Sequence, residues 1–197
     1  MIVDSIDVYN GDIIHGRFAY QYFRDKTLPI GNILAFRAPM KVEADGMIDY
    51  EDVLDNDFIY SDDAINFVWE IPNLDSFGAV AWQRLFNTQI ANILSNKLYV
   101  NAPIEVDGDD LMVHKEHNQG GIIQPKGKCS VSITYTKDGA ALGHTAINVT
   151  AGKKAPAFAY STGLTDDQCE GFMRNVIDIF YTMNDDMFIA TTKIIIK

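Results

Sequence analysis

The sequence predicts an α+β domain spanning residues 1–197, in which a mixed, largely antiparallel sheet carries helices packed on one face. Three observations predict it. From Asp63 to Ile71 the apolar residues Ile65, Phe67, Trp69 and Ile71 alternate, the period-two sign of a half-buried strand, and Pro72 ends the run. Directly afterwards the period lengthens. Phe77, Ala81, Leu85, Ile90, Ile93 and Leu94 recur at helical spacing up to Lys97, with Asp75 or Ser76 able to cap the first turn. Trp82 and Phe86 widen that stripe, and Arg84, Asn87 and Asn92 are expected to face out. Finally, Lys137-Asp138-Gly139 separates two strand-like runs, Cys129 to Thr136 and Ala141 to Val149, and carries the residues of a tight hairpin turn.

The other elements follow in order. Ile2 to Val8 reads as a first strand that turns at Asn10-Gly11-Asp12. Asn32 to Phe36 and Met40 to Glu43 read as short strands flanking a break at Pro39, and Ile48 to Leu54 as a strand bearing Asp49, Glu51 and Asp52. Ile104 to Val106 and Leu111 to His114 read as two more short strands. Residues 114–127 are polar and glycine-rich and predict a long loop. Thr165, with Gln168 three residues on, forms a capping-box pattern ahead of the stripe Cys169, Phe172, Met173, Val176, Ile177 and Phe180. The segment from Asp186 to Lys197 suits either a final strand or a continuation of that helix. No repeat or low-complexity tract interrupts the chain.

Composition narrows the function. Hydrophobic residues make up 47% and charged residues 22% of the 197 residues, enough to bury a core. The net charge of −11, from 27 acidic and 16 basic residues, opposes a nucleic-acid partner, and no lysine or arginine cluster exceeds Lys153-Lys154. No apolar run approaches the roughly 20 residues of a membrane span. Asp4 and Asp7 stand where a signal peptide would be cationic and apolar, so a cytoplasmic location is expected. Cys129 and Cys169 lack metal-site spacing and are expected to be buried thiols. A homodimer is left open.

Three features in order, Asp109-Asp110-Leu111, Gly127-Lys128 and Ile147-Asn148-Val149, follow the long predicted helix. They resemble the turn, the lysine segment and the strand that biotin and lipoate protein ligases place in that order. Over nearly the whole chain the sequence is similar to domain-of-unknown-function family 366, assigned to the same superfamily. That resemblance rests on Met1-Ile-Val-Asp-Ser, Phe36-Arg-Ala-Pro-Met, Ile48-Asp-Tyr-Glu-Asp-Val-Leu, Ser61-Asp-Asp-Ala-Ile-Asn-Phe, Trp82-Gln-Arg-Leu, Gly108-Asp-Asp-Leu, Lys128-Cys-Ser-Val-Ser-Ile and His144-Thr-Ala-Ile-Asn-Val.

The resemblance implies a ligase-like domain that binds a small carboxylate, with ATP and Mg²⁺ as cofactors, in adenylate-forming or acyl-transfer chemistry. Two departures stand against catalysis. Where such ligases hold the phosphate with a glycine-rich, arginine-bearing segment, this chain has Tyr60-Ser61-Asp62-Asp63-Ala64. Two carboxylates there repel a phosphate unless a Mg²⁺ lies between them. The nucleophilic cysteine of the related octanoyltransferases falls at Thr162-Gly163, which disfavours thioester chemistry. The alternative class is a non-catalytic binding or assembly protein that keeps the scaffold; the missing phosphate-binding segment favours it, whereas Asp109-Asp110 kept together with Lys128 favours the ligase-like reading.

Within that frame Lys128 is the catalytic candidate, stabilising charge on a ligand carbonyl or phosphate, against a plain reading as a solvated hairpin lysine. Asp62, Asp63 and Asp110 are the metal candidates, and Asp109 and Asp110 also suit an ordinary turn after Gly108. Arg37 and Arg84 are candidates for gripping a carboxylate or phosphate. Asp109, His144 and Asn148 complete the candidate ligand-binding set, although His144 also fits a satisfied sheet histidine. His114 and His117 flank Glu116 in a polar stretch and make a poor zinc pair. Asp49, Glu51 and Asp52 read as a solvated strand edge.

Overall fold

The computed structural model describes residues 1–3, 6–23, 31–114 and 127–193. Its main sheet has the order β1 (Asn32–Val42), β2 (Ile59–Pro72), β7 (Ala140–Thr150), β6 (Ser130–Lys137), with every neighbouring pair antiparallel. A second sheet, β3 (Ile104–Asp107), β4 (Asp110–Val113) and β5 (Gly127–Lys128), is also antiparallel. The mixed character comes from isolated parallel bridges, Ile2 to Ala35, Tyr9 to Met40 and Lys128 to Ala159. The expected first strand is seen as the first two of these bridges along the outer edge of β1, and residues 4–5 lie outside the described residues.

Two long helices share one face, as the periodicity predicts. Helix α4 (Ser76–Leu94) is capped by Asp75, whose Oδ1 accepts from Gly78 N at 2.6 Å. Helix α5 (Asp166–Thr192) starts at the predicted capping box of Thr165 and Gln168 and continues into the ambiguous tail as far as Thr192, while residues 194–197 lie outside the described residues. Between sheet and helices lies the main core, built on Ile65, Phe67, Trp69 and Ile71 of β2 with Trp82, Phe86, Phe172 and Phe180. Trp82 and Phe180 pack edge to face at 5.2 Å, and Trp82 Nε1 donates to Asn184 Oδ1 at 3.0 Å.

The buried stripe of α4 differs from the sequence reading. Ala79, Trp82, Gln83, Phe86, Asn87, Ile90, Ala91 and Leu94 are buried, whereas Phe77 is 84% and Leu85 51% exposed. Asn87 turns inward because partners await it: its Nδ2 donates to Asp109 O at 3.0 Å, and its Oδ1 accepts from Thr145 Oγ1 at 3.1 Å. Gln83 Nε2 donates to Ser132 Oγ at 2.8 Å. A buried amide is tolerated when it is paired, and hydropathy alone does not show the pairing.

The sheet's opposite face is covered too. Helices α1 (Asp12–His15) and α2 (Phe18–Phe23), neither of them evident in the sequence pattern, close it with a second core of Tyr9, Phe23, Leu34, Phe36 and Val68. Arg17 fastens this layer, donating from Nε and Nη2 to Glu70 Oε2 at 3.1 and 2.9 Å, while Tyr20 N donates to Oε1 at 2.9 Å.

Two further expectations are corrected. Pro39 does not break the strand. Its carbonyl accepts from Tyr9 N on the outer edge, so the N–H it lacks would have pointed away from β2, and β1 continues through a bulge. Ile48 to Leu54 is not a strand but leads into helix α3 (Tyr50–Asp55). Asp49 Oδ1 accepts from Glu51 N at 2.8 Å, Glu51 and Asp52 sit at the electropositive first turn, and Asn56 closes the end at φ 52°. The predicted hairpin turn stands, with Asp138 and Gly139 at φ 51° and 78°. Among the described residues no helix is long and apolar enough to cross a membrane.

Candidate functional site

Lys128 is located from both sides of the chain. It forms one end of the two-residue strand β5, opposite Met112 of β4. On its other side its N–H donates to Phe158 O at 2.9 Å, and its carbonyl accepts from Tyr160 N at 2.7 Å. Gly127 allows this approach, since a Cβ there would lie 2.8 Å from Tyr160 Cβ. The Lys128 ammonium lies 2.7 Å from Asp110 Oδ1. Asp109 and Asp110 leave the β3–β4 turn after Gly108 at φ 61°, and the Asn87 bond to Asp109 O ties this turn to α4.

Lys128, Asp109 and Asp110 line a cavity of about 340 Å³ on the face away from α4 and α5, a size suited to a small ligand. Val131, Ile133, His144 and Asn148 contribute from β6 and β7, and Tyr9 from the N-terminal segment. The stretch from Val42 to Tyr60, carrying α3, supplies another wall, and Phe158 a third. Residues 115–126, most of the predicted glycine-rich loop, lie outside the described residues, as does His117.

His144 is buried and stacked on Tyr9 at 3.7 Å between ring centroids, 12° from parallel. Its Nε2 meets Asn66 Oδ1 at 3.0 Å. Asn66 Nδ2 donates to Ala38 O and Ala64 O, so its oxygen is the acceptor and His144 Nε2 carries the hydrogen. Burial lowers the His144 pKa to about 3, and the ring is neutral at ordinary pH. Asn148 is 4% exposed, and its Oδ1 has no hydrogen-bond partner. Its backbone is engaged, with N donating to Cys129 O and O accepting from Thr162 N.

Burial raises the Asp109 carboxyl above its usual range, partly offset by Arg84, whose Nη2 is 3.7 Å from Asp109 Oδ1. Burial, then Asp49 and Asp57, raise Asp52. The sequence reading puts Asp49, Glu51 and Asp52 on a solvated strand edge, yet all three line the cavity. Their helical setting brings them there, and no period-two reading could find it.

The structure does not unite the other candidates with this cavity. Arg37 holds Asp63 through two nitrogens, Nε to Oδ1 at 2.9 Å and Nη2 to Oδ2 at 2.6 Å, and reaches Asp166 through Nη1 at 2.5 Å. That cluster clamps β1 and β2 to the start of α5. Asp62 accepts from Tyr60 Oη at 2.9 Å. Asp110 is matched to Lys128 and Asp63 to Arg37, and among the described residues no three acidic, histidine or cysteine side chains form a group able to hold a metal. His114 pairs with Glu105 at 2.7 Å. Cys129 and Cys169 are buried free thiols, with burial pushing Cys129 up to about 12.

A family profile described as a domain of unknown function, DUF366, matches residues 1–195. The chain belongs to the DUF366 family. A protein of unknown function from Pyrococcus horikoshi shares its fold at TM-score 0.81 and 20% identity, over 100% of this chain and 97% of that one. Biotin protein ligase from Aquifex aeolicus, in complex with biotin and ATP, is similar at TM-score 0.54 and 10% identity, over 93% of this chain and 70% of that one. A putative lipoate protein ligase from T. acidophilum with bound lipoic acid gives 0.52 and 12%, over 93% and 84%. At these identities the likeness establishes the fold: this DUF366 protein has the biotin/lipoate ligase-like scaffold. A search of curated proteins gives no match.

Proposed function

We propose that this DUF366 protein binds a small carboxylate-bearing molecule in the 340 Å³ cavity, with Lys128 meeting the carboxylate. The observation that carries the reading is the placement of Lys128. It is held by backbone on both sides, oriented by Asp110 at 2.7 Å, and is the one cation among the described residues that line the cavity. Similar folds holding biotin and lipoic acid support the same ligand class. Val131, Ile133 and Phe158 supply apolar wall for the rest of the ligand, and neutral His144 stacked on Tyr9 supplies a rigid polar one.

The described walls do not suit a nucleotide triphosphate. They offer one lysine against several carboxylates, and no carboxylate group among the described residues is arranged to hold Mg²⁺. ATP-dependent activation of the ligand therefore has no phosphate contacts to rest on in these walls. The same observation favours a second reading, a binding or assembly protein that retains the ligase scaffold without ligase chemistry. Thermal-shift measurements with lipoate, biotin and octanoate, each with and without ATP–Mg²⁺, test both readings. The binding reading expects at least one carboxylate to raise the melting temperature of wild type and not of Lys128→Ala. An ATP-dependent gain would restore the catalytic reading.

A further inference from the structure

We infer that the ligand of this cavity carries a protonated amine or similar organic cation in addition to the carboxylate that Lys128 meets. The inference rests on the proposed function for the location of the site and adds the class of the ligand's second group.

The charge of the walls is lopsided. Asp49, Glu51, Asp52, Asp57, Asp109 and Asp110 line the cavity, against Lys128 alone among the described residues. Asp110 is matched by Lys128 at 2.7 Å, and Asp109 sits 3.7 Å from Arg84. The other four have no cationic side chain within ion-pairing distance among the described residues. Asp49 and Asp57 accept only backbone N–H groups, from Glu51 and Phe58 at 2.8 Å each. These carboxylates are close enough to act on one another. Asp52 is raised by burial first and then by the charges of Asp49 and Asp57, with Lys128 offsetting part of that rise. Like charges gathered on a concave wall cost free energy unless a cation joins them.

A second observation is independent of the acidic wall. Asn148 lines the same cavity, is 4% exposed, and its Oδ1 accepts no hydrogen bond. An amide oxygen buried without a donor is unfavourable in the free protein and is satisfied when a ligand brings an N–H to it. A carboxylate cannot do so, having no hydrogen to give, whereas an ammonium has three. The acidic wall calls for positive charge and Asn148 for a hydrogen-bond donor, and an ammonium supplies both.

A bare divalent ion does not meet this need, because among the described residues no three acidic, histidine or cysteine side chains converge as a metal-binding group. A hydrogen-bonding organic cation does not require such convergence. It can face several carboxylates spread along a wall and still reach Asn148.

Three probes of matched length separate the possibilities: hexanoate, hexylamine and aminohexanoate, titrated calorimetrically into wild type, Lys128→Ala, Asp52→Asn and Asn148→Leu. The expected result is that aminohexanoate binds roughly tenfold to a hundredfold more tightly than hexanoate, the span of one charge-assisted hydrogen bond. Asp52→Asn and Asn148→Leu should shrink that ratio by weakening aminohexanoate and hexylamine. Lys128→Ala should weaken both carboxylates and spare hexylamine. Hexanoate binding as tightly as aminohexanoate would overturn the inference and leave the carboxylate reading in place. Hexylamine binding with no hexanoate binding would uphold the amine and overturn the carboxylate. Failure of all three probes to bind would overturn both.

Discussion

Replacing Asn148 by leucine should stabilise the unliganded protein while impairing ligand binding. The side chain is 4% exposed and its Oδ1 is unpartnered, so the native residue carries an uncompensated desolvation cost. Mutational data put that cost at about 1–3 kcal/mol for a neutral group. Leucine is similar in size and adds no polar atom, so overpacking should be small. Allowing for the packing that the amide nitrogen gives up, the net gain should be about 1–2 kcal/mol. For a domain of this size that gain corresponds to a rise in Tm of about 2–8 °C. Urea unfolding monitored by tryptophan fluorescence would measure it, with an unchanged m-value showing that the folded and unfolded states keep their compactness. A loss of stability above about 1 kcal/mol would mean instead that Asn148 is already satisfied and serves the fold rather than a ligand. Stability gained where function is lost is the expected signature of a binding residue.

Further outcomes follow from the same structure. Arg17→Ala should cost about 2–3 kcal/mol, since it strands the nearly buried Glu70 carboxylate, and adding Glu70→Gln should recover much of that loss; additive effects in a urea double-mutant cycle would contradict the coupling. His144 is held neutral by burial with its pKa lowered to about 3, so the unfolded chain binds the extra proton first as pH falls below the ordinary histidine value near 6.5. Stability should therefore be intact at neutral pH and decline from about pH 6.5 downward. A His144→Gln variant should show a flatter decline in urea midpoint between about pH 7.5 and 5, and identical slopes would count against burial as the cause.

Legibility in the sequence follows the burial pattern. Strand β2 and helices α4 and α5 are readable because one face of each meets a continuous apolar core, and periodicity reports faces. Asn87 and Gln83 escape that reading, since their burial depends on Ser132, Thr145 and the Asp109 carbonyl, which the fold brings from distant positions. Helices α1 and α2 are too short to show a period, and α3 is set by the cap at Asp49 rather than by hydropathy. Lys128, Asp109, Asp110, His144 and Asn148 stand out through ordered motifs, and the structure brings them to one cavity. Arg37 and Asp63 stand out for their chemistry alone, and they neutralise each other elsewhere. The acidic wall of Asp49 and Asp52 escapes the sequence because it depends on α3 being helical.

Whether this cavity binds a carboxylate through Lys128 is decided by isothermal titration of the best ligand from the thermal screen into wild type and Lys128→Ala. The side chain is partly exposed and packs little, so the variant should fold with an unchanged Tm. Its affinity should fall roughly tenfold to a hundredfold, the loss of one charge-assisted contact of about 1.5–3 kcal/mol. Equal affinities for the two proteins would place the carboxylate site elsewhere.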